Sequence, residues 1–280
     1  MKKGYALVFL AASTWGSLGI FATYIYRCGV DSFTMVFFRV LFAILILGFY
    51  MSIFRRENPF SVPRGRLWFY ALYGFVGVFL FYTLYFYTVK ISSAPFAVLL
   101  VYTAPAFSVI LGRLIFKEPI TRIKLMALFL VMTGVLLTVN LGRIVFRSLA
   151  IVTGVSTGIV YAFYGVLAKL GVRKETPERL LFMTLLFGLI YLAPFSSYSV
   201  PSCAIPYLLG LAFFPTFLGY VLYNYALKEV EVSRASIIAT VEPVVAIVLS
   251  FFLLGETLSL TQTFGAVLII SGSILIHTNG

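Results

Sequence analysis

Long apolar stretches alternate along this chain with short interruptions of charge, proline or glycine. A bilayer core about 30 Å thick demands roughly 20 predominantly apolar residues from each helix that crosses it. Stretches of that length recur from one end of the chain to the other. Bounded at the interruptions, they predict ten helices, over 4–24, 32–53, 67–89, 93–114, 122–140, 148–169, 178–196, 205–227, 233–253 and 261–278. The first follows Met1-Lys2-Lys3 and is apolar from Tyr5 to Tyr26. A cleaved signal peptide has a shorter apolar region and a small-residue cleavage site, so this run is expected to be the first crossing.

Composition agrees with the pattern. The 280 residues are 61% hydrophobic and only 11% charged, with a mean hydropathy of +1.05. Soluble domains carry roughly 25% charged residues, and a water-soluble fold cannot cover this much apolar surface.

Charge adds orientation. The net charge of +12 does not imply nucleic acid, because the basic residues sit in short loops between apolar runs, where they encode membrane topology. With the N-terminus placed in the cytoplasm, sixteen of the 21 Lys and Arg residues fall at inner ends. Arg27, Lys90, Arg143 and Arg147 fall outside, and Arg39 lies within the second helix. This positive-inside bias predicts a multi-pass protein of the plasma membrane with both termini cytoplasmic. Cys28 and Cys203, the two cysteines, fall near predicted outer ends. A disulfide can form there, though isolated thiols more often serve as small apolar residues. No metal-ligand cluster, cofactor motif or catalytic set is visible, and His277, the single histidine, lies close to the C-terminus.

The chain also repeats itself. Leu84-Tyr85-Phe86-Tyr87-Thr88-Val89-Lys90 matches Leu222-Tyr223-Asn224-Tyr225-Ala226-Leu227-Lys228 at an offset of 138, and the same offset relates Pro105 to Pro243, Glu118 to Glu256 and Gly134 to Gly272. Five helices, an odd number, separate the copies, so equivalent helices cross in opposite directions. The expected fold is all-α and integral to the membrane: two inverted five-helix repeats, residues 1–143 and 144–280, around a central cavity. Inverted repeats are a recurrent device of secondary transporters, which open a central site alternately to each side.

At these residues the chain resembles the EamA-type members of the drug/metabolite transporter superfamily. The resemblance rests on Ser13-Thr14-Trp15-Gly16, Arg39, Ala104-Pro105 through Lys117-Glu118, Glu242-Pro243 through Gly255-Glu256, and Gly134 with Gly272. It implies a ten-helix exporter or exchanger of small metabolites, amino acids and related compounds being the commonest cargo. It further implies that helices 1, 3, 4, 6, 8 and 9 surround the cavity while helices 5 and 10 lie at the periphery.

Candidate site residues follow. Glu242, mid-helix in the ninth run, is costly in a membrane and faces protein or water there; it would bind a substrate amine or a coupled proton, or cap backbone freed at Pro243. Trp15, Tyr82, Tyr85, Tyr102, Tyr161, Tyr164, Tyr223 and Asn224 form an aromatic and amide set suited to amphipathic solutes. Pro105 and Pro243 are expected to break their helices near the midplane. Arg39 could hold a carboxylate, but a structural ion or carbonyl partner is the stronger expectation. Glu118 and Glu256 are expected to cap the helices that follow them, the fifth and tenth. Gly16 with Gly19, Gly74 with Gly77, and Gly154 with Gly158 suit close helix contacts.

The leading reading is therefore a secondary transporter, monomeric or homodimeric, with a small-molecule substrate and the lipid bilayer as its partners. A sugar-phosphate or nucleotide-sugar exchanger would need Lys or Arg deep in the cavity, and an intramembrane enzyme or other non-transport protein would want clustered acids, histidines or metal ligands.

Overall fold

In the computed structural model, residues 2–139 and 147–278 are described, the side chains of Lys2 and Thr278 excepted. Arg143 and the boundary between residues 143 and 144 lie outside them. Among the described residues, nine helices are long and apolar enough to cross a membrane. They are α1 (Lys3–Arg27), α2 (Ser32–Arg55), α3 (Arg64–Ile91), α4 (Ala94–Phe116), α6 (Ser148–Val172), α7 (Pro177–Phe195), α8 (Ser202–Ala226), α9 (Val232–Leu254) and α10 (Leu260–His277). A tenth, α5 (Arg122–Thr138), has 17 residues. The chain is thus an all-helical membrane protein of two related five-helix halves.

Short polar side chains start several of these helices by accepting the N–H groups that a first turn leaves unpaired. Asp31 Oδ1 accepts from Phe33 N at 3.0 Å and Thr34 N at 3.1 Å at the start of α2. Thr121 accepts from Lys124 N at 3.2 Å at the start of α5.

The repeat extends to the irregularities. Helix α4 is broken into α4a (Ala94–Val101) and α4b (Ala104–Phe116), and α9 into α9a (Val232–Ala239) and α9b (Glu242–Leu254). Every one of these bounds obeys the 138 offset. The cause is Pro105 and Pro243, whose rings collide with the carbonyl four residues back. Those residues, Val101 and Ala239, end α4a and α9a. Both second segments stop on a residue in the left-handed region, Lys117 (φ 58°) and Gly255 (φ 71°); glycine adopts that conformation without strain, and lysine does not. Wide π-helical turns interrupt α3 at Phe75–Leu80 and α8 at Ala212–Leu218.

Helix contacts follow the same symmetry. α1 packs on α8 and α9, and α6 on α3 and α4; α2 packs on α7, and α5 on α10. α5 and α10 meet backbone to backbone: a Cβ on Gly134 would lie 2.6 Å from Gly265 O, and one on Gly265 2.6 Å from Gly134 O. A Cβ on Gly158 would lie 2.2 Å from Thr103 Oγ1, and one on Gly74 2.7 Å from Thr184 O. A Cβ on Gly19, by contrast, would meet nothing within 4 Å, and the residue lines a cavity. Cys28, after α1, and Cys203, in the first turn of α8, are disulfide-bonded with Cα atoms 6.2 Å apart. The bond ties together the ends at which α1 finishes and α8 begins.

Candidate functional site

A cavity of about 290 Å³ lies between α1, α3, α4, α6, α8 and α9. Trp15, Tyr82, Tyr85, Tyr102, Tyr161, Glu242 and Pro243, all expected in the site, line it. Its walls are otherwise apolar, and no Lys, Arg or His is among its lining residues. Glu242, half-buried, is the one charged group in it and forms no ion pair among the described residues. It occupies the first position of α9b, a helix start, where the helix dipole favours a carboxylate.

Aromatic rings build most of the remaining wall. Trp15 lies 5.2 Å from the Tyr220 ring, and Phe81 lies 5.4 Å from the Tyr161 ring. Trp15 fits because Gly219 lacks a side chain: a Cβ there would be 2.6 Å from the indole Nε1. The sequence analysis missed Tyr220 and Phe81. The offset could have found Tyr220, which is the counterpart of Tyr82 in the second half.

Other expected residues lie elsewhere. Tyr223 packs against Trp15 at 5.2 Å and is not among the residues that line the cavity. Asn224 is buried, and neither its Oδ1 nor its Nδ2 has a protein partner among the described residues. Tyr164 and Arg39 line a smaller space that shares Tyr82 and Tyr220 with the main cavity. Among the described residues, Arg39 takes neither an ion nor a carbonyl as partner: its Nε donates to Thr216 Oγ1 at 3.1 Å, and its Cζ lies 5.3 Å over the Tyr82 ring. Pro105 lines neither space, although its counterpart Pro243 does line the cavity.

The two glutamates after the broken helices need a correction. Neither caps the helix that follows it: Thr121 caps α5, and Ser259 Oγ accepts from Gln262 N at 3.2 Å at the start of α10. Glu118, 6% exposed, reaches across to α9a, accepting from Val232 N at 2.8 Å, Ser233 N at 3.1 Å and the Ser233 hydroxyl. Its carboxylate fits because position 112 is glycine: a Cβ there would lie 2.5 Å from Oε2. Around it, Lys124 Nζ donates to Glu231 at 3.0 Å, and Lys169 Nζ donates to the Val230 carbonyl. Glu231 sits before α9. Burial raises its carboxyl, but the hydrogen bonds from Lys124 and Arg234 outweigh burial and leave it below the ordinary value.

The opposite end has no such latch. Glu256 is exposed, and its carboxylate makes no contact with α4a among the described residues. Serine replaces glycine at position 250, the counterpart of Gly112, and Ala94 and Pro95 replace Val232 and Ser233. Proline has no N–H to donate. α9a packs firmly on α4b, whereas their counterparts α4a and α9b stand apart. The cavity accordingly lies toward the end where α1, α3 and α9 finish, and the Glu118 latch closes the other end.

The sequence model of the EamA-like transporter family matches this chain twice, over residues 2–140 and 148–278. The chain belongs to the EamA-like transporter family. Relatives of this EamA-like transporter share much of its length. An uncharacterized transporter of Archaeoglobus fulgidus is 29% identical over 98% of this chain and 96% of its own. The uncharacterized transporter YyaM of Bacillus subtilis is 32% identical over 72% and 70%. The uncharacterized inner membrane transporter YicL of Salmonella typhimurium is 28% identical over 98% and 95%. A crystal structure with 16% identity superposes with a TM-score of 0.81, covering 97% of this chain and 95% of that one; it shares the fold. The chain is a multi-pass membrane transporter, and the apolar length of its helices agrees.

Proposed function

We propose that this transporter carries a small, amine-bearing, amphipathic metabolite, an amino acid or related compound, out of the cell or in exchange, by alternating access through the cavity around Glu242. One observation carries the reading: a cavity with a single carboxylate and aromatic walls, sealed at one end by a latch whose counterpart at the other end is undone. The ammonium group of the cargo would pair with Glu242 while its apolar part rests on Trp15 and the tyrosines, which also attract cations through their ring faces. A carboxyl group holds a proton or an ammonium ion, not both, so protonating Glu242 would release the cargo and could couple export to proton entry. A dianionic sugar phosphate fits poorly, since Glu242 would repel it and no basic residue lines the cavity.

The test is a counterflow screen of amino acids and amines with the purified protein in liposomes, repeated with Glu242→Gln. The expected result is exchange of at least one amine-bearing solute, and loss of that exchange in the variant with its thermal unfolding unchanged. Full exchange by Glu242→Gln, or exchange of anionic solutes alone, would sink the reading.

A further inference from the structure

The smaller space behind the tyrosine wall holds a buried cation, and no carboxylate is among the residues that line it. Arg39, Tyr82, Tyr164, Thr184, Thr216 and Tyr220 are among the residues around it, and it has room for the centre of about one water-sized species, ≈ 10 Å³. Arg39 is 2% exposed and Tyr164 5%. Arg39 Nη1 and the Tyr164 hydroxyl have no protein partner among the described residues. The two threonines are already committed as donors. Thr184 donates to Leu180 O at 2.8 Å, and Thr216 donates to Leu211 O at 2.8 Å while receiving Arg39 Nε.

A guanidinium is a permanent cation with donors only. Buried in the membrane region, such a charge is costly unless it is paired. No carboxylate lies within ion-pair distance of Arg39 among the described residues, and Glu242 lines the main cavity on the other side of Tyr82 and Tyr220. A water molecule would satisfy the hydrogen bonds but leave the charge unbalanced, whereas an anion does both.

We infer that the space beside Arg39 is an anion site, which takes a halide ion or one carboxylate group of a solute, held by Arg39 Nη1 and the Tyr164 hydroxyl. The inference stands apart from the transport reading, because it concerns equilibrium binding to the purified protein. Its test is thermal unfolding of the full-length protein in detergent at constant ionic strength, with sodium gluconate exchanged for chloride or for formate. A ligand that binds the folded state raises the midpoint with its concentration. A rise in chloride but not in formate assigns the site to a free halide. A rise in formate as well assigns it to carboxylates, those of a cargo included.

Tyr164→Phe keeps the ring and removes one donor, so it should weaken the apparent affinity about tenfold. Arg39→Met should abolish the response, and if that variant does not fold, Tyr164→Phe decides. Equal midpoints in all three salts would overturn the inference, as would an undiminished response in Tyr164→Phe.

Discussion

Among single residues, Glu118 carries the most structural consequence. Its carboxylate serves two backbone N–H groups and a hydroxyl of α9a, all shielded from water, and charged hydrogen bonds of this kind are about twice as strong as neutral ones. Glu118→Gln should lower stability by about 1–3 kcal/mol, read as a lower unfolding midpoint, while Glu256→Gln, on an exposed side chain, should leave the midpoint unchanged. Gly112→Ser, which installs the residue found at position 250, should disturb the latch to a similar extent. Equal effects of the Glu118 and Glu256 variants would remove the asymmetry. Side-chain direction was the least legible property in the sequence. The aromatic cluster was recognisable, and Trp15, Tyr82, Tyr85, Tyr102 and Tyr161 do converge. Tyr223 and Asn224 do not, although Tyr85, the counterpart of Tyr223, does; the repeat offset relates positions in the two halves, not the surroundings that each side chain meets.

At the scale of elements, proline marked both breaks, and the repeat offset carried over to every segment boundary of α4 and α9. What the sequence could not supply was the partner of each end. Glu118 stands close before α5 in the chain and yet caps α9, since tertiary proximity decides which unpaired N–H groups a buried acid meets. The α5–α10 pair was expected at the periphery and is held by glycine contact. Gly265→Leu would force the two backbones apart at a 2.6 Å approach and should cost about 1–3 kcal/mol or more; an unchanged unfolding midpoint would contradict that packing. The ties at the start of α9 also predict a pH response. The Glu231 carboxyl is held below its ordinary value, so its contribution is complete above the ordinary glutamate range and is lost as pH falls through the lowered folded value. Glu231→Gln should therefore lower stability near neutrality and flatten the acid limb of the profile, the two proteins converging at low pH.

Over the whole molecule, the count of apolar runs and the repeat were legible because membrane crossing imposes length and composition directly. The α5 helix, at 17 residues, is the marginal case. Orientation rests on charge. Cysteines introduced at Asn58 and Val200 should label from the cytoplasm and from outside respectively, and the reverse pattern would invert the topology. The Cys28–Cys203 bond joins residues 175 positions apart near one end of the molecule. Neither thiol should react with maleimide until a reductant is added; ready labelling without reductant would remove the bond.

Having its latch at one end only sets where such a carrier waits rather than where its load goes. If the Glu118 contacts favour one facing state, that state dominates at rest. Solute then binds with nearly its intrinsic affinity from the open face, and more weakly from the other in proportion to the rarer population. Around a closed cycle these biases cancel, and the sign of net flux is left to the gradients. Weakening Glu118 should thus alter half-saturation on the two faces in opposite senses, without reversing the direction of accumulation.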